Sequence, residues 1–171
     1  MGRFEEPLPW ICYPCMDFLN ERLKSDMDVF EWGSGNSTLW WAKRVGTVIS
    51  CEHDQGWYDR MKPAMPDNVE YVHANVEDSS YINFAKNQQK RFDVMMIDGQ
   101  ARIACAKNCL ESLKEGGVVV WDNTDVDKYQ EGYDFLIQNG FKRLDFYGLG
   151  PVNFYGWSTS VFYKENNCLG L

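Results

Sequence analysis

The sequence predicts a doubly wound α/β domain around a seven-stranded, mostly parallel sheet, and three observations support this. Strand-like and helix-like periodicities alternate along all 171 residues. The runs 48–51, 94–97 and 118–121 are almost continuously apolar, as in central strands that are buried on both faces. The run 28–32 leads through a Gly-x-Gly turn into a helix, and such a turn lets a ligand approach the backbone closely.

The elements follow in order from these patterns. Residues 14–24 place Met16, Leu19 and Leu23 on one helical face. Strands are predicted at 28–32, 47–52, 69–73, 92–98, 117–122, 141–147 and 158–163. Further helices are predicted at 37–45, 55–64, 79–90, 101–114 and 127–139. We expect a single domain over residues 1–171, with residues 1–26 as an N-terminal helical cover.

The second half of the chain carries two additional signals. Gly116 and Gly117 are expected to end the fifth of these helices and to begin the next strand. The last two strands are joined by residues 148–157 without a helix, so the final strand is expected to run antiparallel. The glycines and aromatic rings of this loop predict a mobile lid, and packing or a homodimer contact is the alternative.

Composition limits the classes of partner. The net charge of -8 argues against a nucleic-acid partner or an anionic membrane surface. No run approaches the ~20 apolar residues of a membrane span, and the first residues carry no apolar signal core. We therefore expect a cytoplasmic protein whose six cysteines are reduced.

Candidate ligand-binding residues follow the first three strands. Glu52 ends the second strand, where a carboxylate accepts hydrogen bonds from the ribose hydroxyls of a nucleoside. An acidic helix start is the alternative interpretation of Glu52. His53 comes next and can reach the same crevice, although a surface or core role is more usual. Asn75 follows the third strand, where its amide either meets an adenine edge or caps a turn.

Oxygen-bearing side chains follow the fourth and fifth strands. Asp98 ends the fourth strand, and the pair Asp122 and Asn123 ends the fifth. These strands are neighbours in the predicted sheet, so we expect the three side chains to meet at one edge. Mg²⁺ prefers such oxygen donors. A structural role for Asp98, with Asp122 and Asn123 as a helix cap, is the alternative.

The pattern acid-x-Gly-x-Gly-x-Ser, formed by Glu31, Gly33, Gly35 and Ser37, resembles the S-adenosylmethionine (SAM) loop of class I methyltransferases. The resemblance extends over about residues 27–163 and implies a Rossmann-like methyltransferase sheet. It implies that the glycines admit the methionine part of SAM, with Ser37 in the same loop. It also implies that Glu31 binds the ammonium group of SAM, through water.

The end of the fourth strand and the Asp-Asn pair resemble the cation-dependent O-methyltransferases. This resemblance implies that Asp98, Asp122 and Asn123 bind Mg²⁺ and that Asp98 and Asp122 act in catalysis, with Asp98 also beside SAM. These families carry a lysine base three residues after the aspartate, where this chain has Ala101. Arg102 follows, and an arginine stays protonated and cannot serve as a base.

The Gly-Leu-Gly-Pro-Val-Asn segment that begins at Gly148 also resembles small bacterial methyltransferase-like proteins. Together these patterns predict Mg²⁺-assisted transfer of a methyl group from SAM to an oxygen of a small molecule or a glycan. Two alternatives remain. One is an NAD(P)-binding oxidoreductase or epimerase, although Tyr129 and Tyr133 lack the lysine four residues on that many of these enzymes use. The other is a non-catalytic binding module with the same fold.

Overall fold

Residues 6–171 are described by the computed structural model and form alternating strands and helices. The strands are β1 Asp28–Trp32, β2 Thr47–Glu52, β3 Val69–His73, β4 Phe92–Ile97, β5 Leu113–Asp122, β6 Lys142–Gly148 and β7 Trp157–Tyr163. The helices are α1 Tyr13–Asn20, α2 Asn36–Ala42, α3 Gln55–Met61, α4 Ser80–Asn87, α5 Arg102–Cys109 and α6 Gln130–Gln138. Short 3₁₀ turns follow α3 and α5 and precede α6.

The sheet has the strand order β3-β2-β1-β4-β5-β7-β6. The pairs among β1 to β5 are parallel, whereas β7 is antiparallel to both of its neighbours, β5 and β6. This confirms the predicted doubly wound sheet with an antiparallel last strand. The order reverses at β1 and β4, and ligands of open α/β sheets bind at the carboxyl ends of the strands beside such a reversal.

The apolar runs of the central strands are buried on both faces. In β4, Val94 and Met96 belong to one core cluster, and Met95 and Ile97 belong to the cluster on the opposite face. β5 alternates in the same way, because successive side chains of a strand point to opposite faces. Both faces are therefore apolar along the centre of the sheet, and the charged residues of these two strands lie near their ends.

The start of β5 differs from the sequence prediction. The strand begins at Leu113, which pairs with Phe92, and Gly116 and Gly117 lie inside the strand instead of starting it. The register shifts after Phe92, and a side chain at Gly117 would approach the Phe92 carbonyl oxygen to 3.0 Å. The two glycines allow a β-bulge at which the backbones come close together. The predicted strand start was wrong because a glycine pair also resembles a helix stop.

The N-terminal segment packs against one face of the sheet, near β7. Ile11, Cys15 and Leu19 are buried in one of the two core clusters, and the Cys12 backbone nitrogen donates to Thr159 Oγ1 at 3.2 Å. The predicted cover of residues 1–26 is thus helical at α1, while its first five residues lie outside the described part. Within residues 6–171, no helix combines the length and apolar character that a bilayer span requires.

Candidate active site

The crevice lies at the carboxyl ends of β2, β1, β4 and β5, which are consecutive in the sheet. The turn after β1 meets the turn after β4 at its centre. Gly33 has a φ of +91°, and a Cβ there would lie 2.8 Å from the Gly99 backbone nitrogen. Only glycine allows both this conformation and this approach. The Gly-x-Gly turn is therefore fixed against the residue that follows Asp98.

Glu31 lies beneath this turn and is fully buried. Its carboxylate accepts hydrogen bonds from the hydroxyls of Ser37, at 2.9 Å, and Thr38, and the Ser50 hydroxyl lies 3.3 Å from Thr38 Oγ1. Burial raises the pKa of Glu31 to about 7 against the effect of these hydroxyls. Ser37 therefore contacts Glu31, and Glu31 is held by side chains of its own chain.

Glu52 lies at the end of β2 and is almost fully buried. One carboxylate oxygen accepts from the Ser34 backbone nitrogen at 3.0 Å and the Ser34 hydroxyl at 2.6 Å. The other accepts from the backbone nitrogens of His53, at 2.8 Å, and Asp54, at 2.9 Å. The carboxylate thus organises the Gly-x-Gly turn, and a ribose hydroxyl that bound here, as the sequence predicts, would have to replace one of these donors.

His53 and Asn75 lie at the edge of this region. The His53 ring nitrogen Nδ1 is 3.0 Å from Glu52 Oε1, and the His53 carbonyl oxygen accepts from His73. Asn75 is exposed, and its side-chain oxygen accepts from the Glu77 backbone nitrogen at 2.9 Å. Asn75 therefore shapes the turn after β3.

The cavity above the Gly-x-Gly turn is narrow, at about 40 Å³, against the ~300–1,000 Å³ of common ligand sites. Its lining includes Trp10, Trp57 and Asp98. The indole of Trp57 donates to the Ser34 carbonyl oxygen at 2.9 Å and lies over Gly35. Sequence reasoning missed Trp57, whose only signal is its place in the helix after Glu52.

Asp98, Asp122 and Asn123 lie together as predicted, with the guanidinium of Arg102 between them. Arg102 Nη2 donates to the Asp98 carbonyl oxygen at 2.6 Å and to Asp98 Oδ1 at 3.0 Å. Nη1 donates to the Asp122 carbonyl oxygen at 2.6 Å and to Asn123 Oδ1 at 3.0 Å. Nε donates to the Gly99 carbonyl oxygen at 2.9 Å. The Asp98–Arg102 spacing of four residues was the available sequence signal.

The side chain of Asp122 is held from the opposite side by β7. Its Oδ1 accepts from Trp157 Nε1 at 2.9 Å and from the Thr159 hydroxyl at 2.5 Å. Burial raises the pKa of both Asp98 and Asp122. The Asp122 charge raises the pKa of Asp98 further, and the Arg102 charge opposes that rise. One of the two carboxyl groups is thus favoured to hold a proton.

This arrangement does not fit the magnesium site that the sequence predicted. Mg²⁺ requires about six oxygens in octahedral geometry, whereas oxygens of Asp98, Asp122 and Asn123 already accept from Arg102, Trp157 and Thr159. The guanidinium also brings a permanent positive charge to that position. Across residues 6–171, no group of three His, Cys, Asp or Glu side chains has the arrangement of a metal site.

Two adjoining openings lie near this pair of aspartates. A small cavity of about 180 Å³ is lined by residues that include Asp98, Asp122, Asn123 and Val152. An open cleft of about 750 Å³ adjoins it, and Trp10 and Val152 line both. The cleft wall is formed largely by apolar and aromatic side chains of the N-terminal segment and by the loop between β6 and β7.

The structure of residues 149–156 differs in part from the predicted mobile lid. Trp157 is buried as the first residue of β7, so it does not belong to a mobile segment. A side chain at Gly150 would clash with the Trp157 ring at 2.2 Å, so this glycine serves close packing. Phe154 is fully exposed to solvent, at 104%, and Tyr155 is largely exposed, at 66%. They remain the candidates for a contact with a substrate or a second copy.

Comparison with known proteins gives the family. The profile of a family described as "Methyltransferase domain" matches residues 30–124, which is more than half of the chain. A comparison with curated protein sequences finds no match.

Among solved structures, the Bacillus cereus O-methyltransferase in complex with SAH (S-adenosylhomocysteine) is 19% identical. It has a TM-score of 0.68 over 92% of this chain and 84% of that one. A rRNA methylase from Streptococcus thermophilus is 13% identical, with a TM-score of 0.64 over 96% of this chain and 100% of that one. The spermidine synthase of Thermotoga maritima is 21% identical, with a TM-score of 0.63 over 89% of this chain and 56% of that one. These activities differ, so the shared fold leaves the reaction partner open. Together with the matched profile, the fold and the crevice show that the chain belongs to the methyltransferase-domain family.

Proposed function

We propose that this protein is a SAM-dependent methyltransferase that acts on an oxygen of a small molecule or a glycan. The observation that carries the proposal is the position of Asp98. It lines both the cavity above the Gly-x-Gly turn and the cavity beside Asp122 and Val152. A methyl donor over Gly33 and Gly35 and an acceptor in the cleft would therefore meet at one carboxylate.

The reaction assigns a task to each group. A lone pair of the acceptor oxygen attacks the methyl carbon in line with the carbon–sulfur bond. That bond breaks, its electron pair stays on sulfur, and SAH forms. The acceptor proton passes to the ionised form of Asp98 as the general base, and a raised pKa makes this carboxylate a stronger proton acceptor. Because the oxygen donors do not fit Mg²⁺, no step passes through a metal ion.

The cleft favours an uncharged, flat acceptor. Pro7, Leu8, Trp10 and Tyr13 contribute apolar and aromatic surface to its wall. The carboxylate of Glu6, also in the lining, is paired with Arg44 at 2.9 Å. Aromatic rings at such a wall stack on planar groups and on sugar faces. These features support a small aromatic molecule or a sugar as the acceptor.

Calorimetry with SAM, SAH, NAD and NADP tests the cofactor. We expect heat with SAM and SAH and none with the dinucleotides, and the reverse result would contradict the proposal. Asp98→Asn tests the base: turnover should fall by about 10²–10⁴-fold, the usual contribution of a general base. The SAH affinity of this variant should stay within a few-fold, because Asp98 is assigned to proton transfer.

A non-catalytic module is the second candidate, and the closed turn favours it. Ser34 already uses one oxygen of Glu52, and the adjoining cavity holds only about 40 Å³. Ser34→Ala separates the two candidates. If SAM binds there, losing the competing hydroxyl should tighten SAH binding by up to about ten-fold, since one hydrogen bond contributes about 0.5–1.5 kcal/mol. A module without a cofactor should show no SAH heat in either form.

A further inference from the structure

Arg102 is the one cation that contacts the ends of both β4 and β5 in the described crevice. A guanidinium has five N–H donors, and the five acceptors of Arg102 use all of them. Its side chain is only 11% exposed. No donor remains for a substrate, so Arg102 acts through the groups that it holds and is a positioning residue.

The backbone around Arg102 is shaped to present oxygens to a positive charge. Carbonyl oxygens of Asp98, Gly99 and Asp122 converge on the guanidinium together with Asp98 Oδ1 and Asn123 Oδ1. The turns that supply them contain two residues other than glycine in the left-handed region, Ala101 at φ +50° and Asn123 at φ +58°. Such conformations persist only when the surroundings enforce them. The five oxygens surround one positive charge, and a bound divalent cation is likewise surrounded by oxygens.

We propose that the guanidinium of Arg102 is a built-in substitute for a divalent cation, holding the ends of β4 and β5 so that this crevice binds no metal. The nearby charges of Asp122 and Glu31 disfavour ionisation of Asp98, and the Arg102 charge favours it. A positive charge between the two strand ends reduces this repulsion, and the chain supplies it four residues after Asp98. The proposed exclusion of metal ions does not depend on the proposed methyl transfer. Only the turnover test rests on that function.

Manganese binding tests the substitution directly, because free Mn²⁺ gives an electron paramagnetic resonance signal that disappears on binding. The wild-type protein should leave the signal of added Mn²⁺ unchanged. Arg102→Met should bind an Mn²⁺ ion per chain, because the oxygens lose their cation while their turns remain. The double variant Arg102→Met with Asp98→Asn should lose that ion. Arg22→Met, at an arginine that stacks on Phe18 away from the crevice, is the matched control and should bind none.

Two outcomes would overturn the proposal. One is Mn²⁺ binding by the wild-type protein that Asp98→Asn abolishes. The other is a folded Arg102→Met protein, judged by circular dichroism, that binds no Mn²⁺. If Arg102→Met does not fold, Arg102→Gln supplies a neutral variant that keeps two N–H donors, and the same two readings apply to it. The Mn²⁺ titration of the wild-type protein needs no variant, so it tests metal exclusion whether or not the variants fold.

Turnover supplies an independent reading. EDTA should leave the wild-type rate unchanged. Arg102→Met should lower kcat by about 100-fold, the loss expected when a reacting group shifts by about 1 Å, with KM for SAM little changed. Mn²⁺ should restore part of that kcat, and wild-type inhibition by EDTA would contradict the proposal. If the proposed methyl-transfer function is wrong, SAH binding should be absent. The Mn²⁺ titration would still test metal exclusion in that case.

Discussion

Ala101 occupies a conformation that its side chain disfavours. It precedes α5 with φ +50° and ψ +34°, in the left-handed region. Ala101→Gly should relieve this strain and raise the free energy of unfolding by about 0.5–1 kcal/mol, after allowance for the greater freedom of glycine in the unfolded chain. Urea denaturation measures the change. Ala104→Gly, in the first turn of α5, is the control and should lower stability by about 0.5–1 kcal/mol. A loss of stability in Ala101→Gly would show that the methyl group packs usefully.

Glu31 predicts a pH dependence of stability. Its pKa is raised from 4.5 to about 7 in the folded protein. Between these values the unfolded chain releases the proton while the folded chain retains it, so rising pH lowers the free energy of unfolding. The Glu31→Gln variant has no carboxyl group at this position, so it lacks this pH dependence of stability.

The stability of Glu31→Gln relative to wild type should therefore rise from about pH 4.5 to about pH 7 and level off above. Denaturation at several pH values measures this difference. Glu70→Gln, at an exposed position of β3, controls for the removal of one carboxylate. A difference that stays constant across the range would show that Glu31 is already ionised in the folded protein.

The positions of the site residues follow from the sequence to different degrees. Glu31, Gly33, Glu52 and Asp98 lie at the crevice because each belongs to a strand end, and the strand pattern determines where strands end. The role of Arg102 was not predicted, because it depends on which of several nearby acceptors a long side chain reaches. Competition of this kind is decided in three dimensions.

α3 carries Trp57, which covers the Gly-x-Gly turn. Trp57 must leave the Ser34 carbonyl oxygen when a ligand widens the cavity. SAH binding should therefore change the tryptophan fluorescence, and Trp57→Phe should lose most of that change. Trp41→Phe, at a buried core tryptophan of α2, is the control and should keep it. Equal signals from Trp57→Phe and wild type would show that Trp57 stays in place.

The loop between β6 and β7 offers a separate test of the acceptor cleft. If Tyr155 stacks on the acceptor, Tyr155→Ala should raise the acceptor KM by up to about ten-fold, since an aromatic contact contributes about 0.5–1.5 kcal/mol. SAH affinity should be unchanged. Ile137→Ala, at an exposed position of α6, is the control. Unchanged kinetics with a shift from dimer to monomer in light scattering would identify an interface instead.

Element boundaries illustrate where local signals fail. β1 spans the predicted residues, because its apolar run and the glycine turn after it define the strand and its end locally. β5 begins four residues earlier than predicted, because its first pair with Phe92 depends on a bulge that only the neighbouring strand reveals. The helices end earlier than predicted, and after α3 and α5 the chain changes to a 3₁₀ turn.

Ligand linkage should be visible in the stability of the entire chain. A ligand that binds only the folded state at 100 times its dissociation constant adds about 2.7 kcal/mol to the free energy of unfolding. For a domain of this size SAH should then raise the Tm by about 5–10 °C. NAD at the same concentration is the control and should not shift it. An absent shift with SAH would favour the non-catalytic module.

The insertion of β7 between β5 and β6 has a consequence for biosynthesis. Domains generally begin to fold from the N-terminus while synthesis continues, but β5 and β6 are joined in the sheet only through residues 157–163. These residues also supply Trp157 and Thr159 to Asp122. A nascent chain that has emerged only as far as β6 therefore lacks both the strand that joins its sheet and the side chains that hold Asp122. The crevice is therefore complete only after residues 157–163 have left the ribosome, so chains stalled or cleaved before β7 are expected to be inactive.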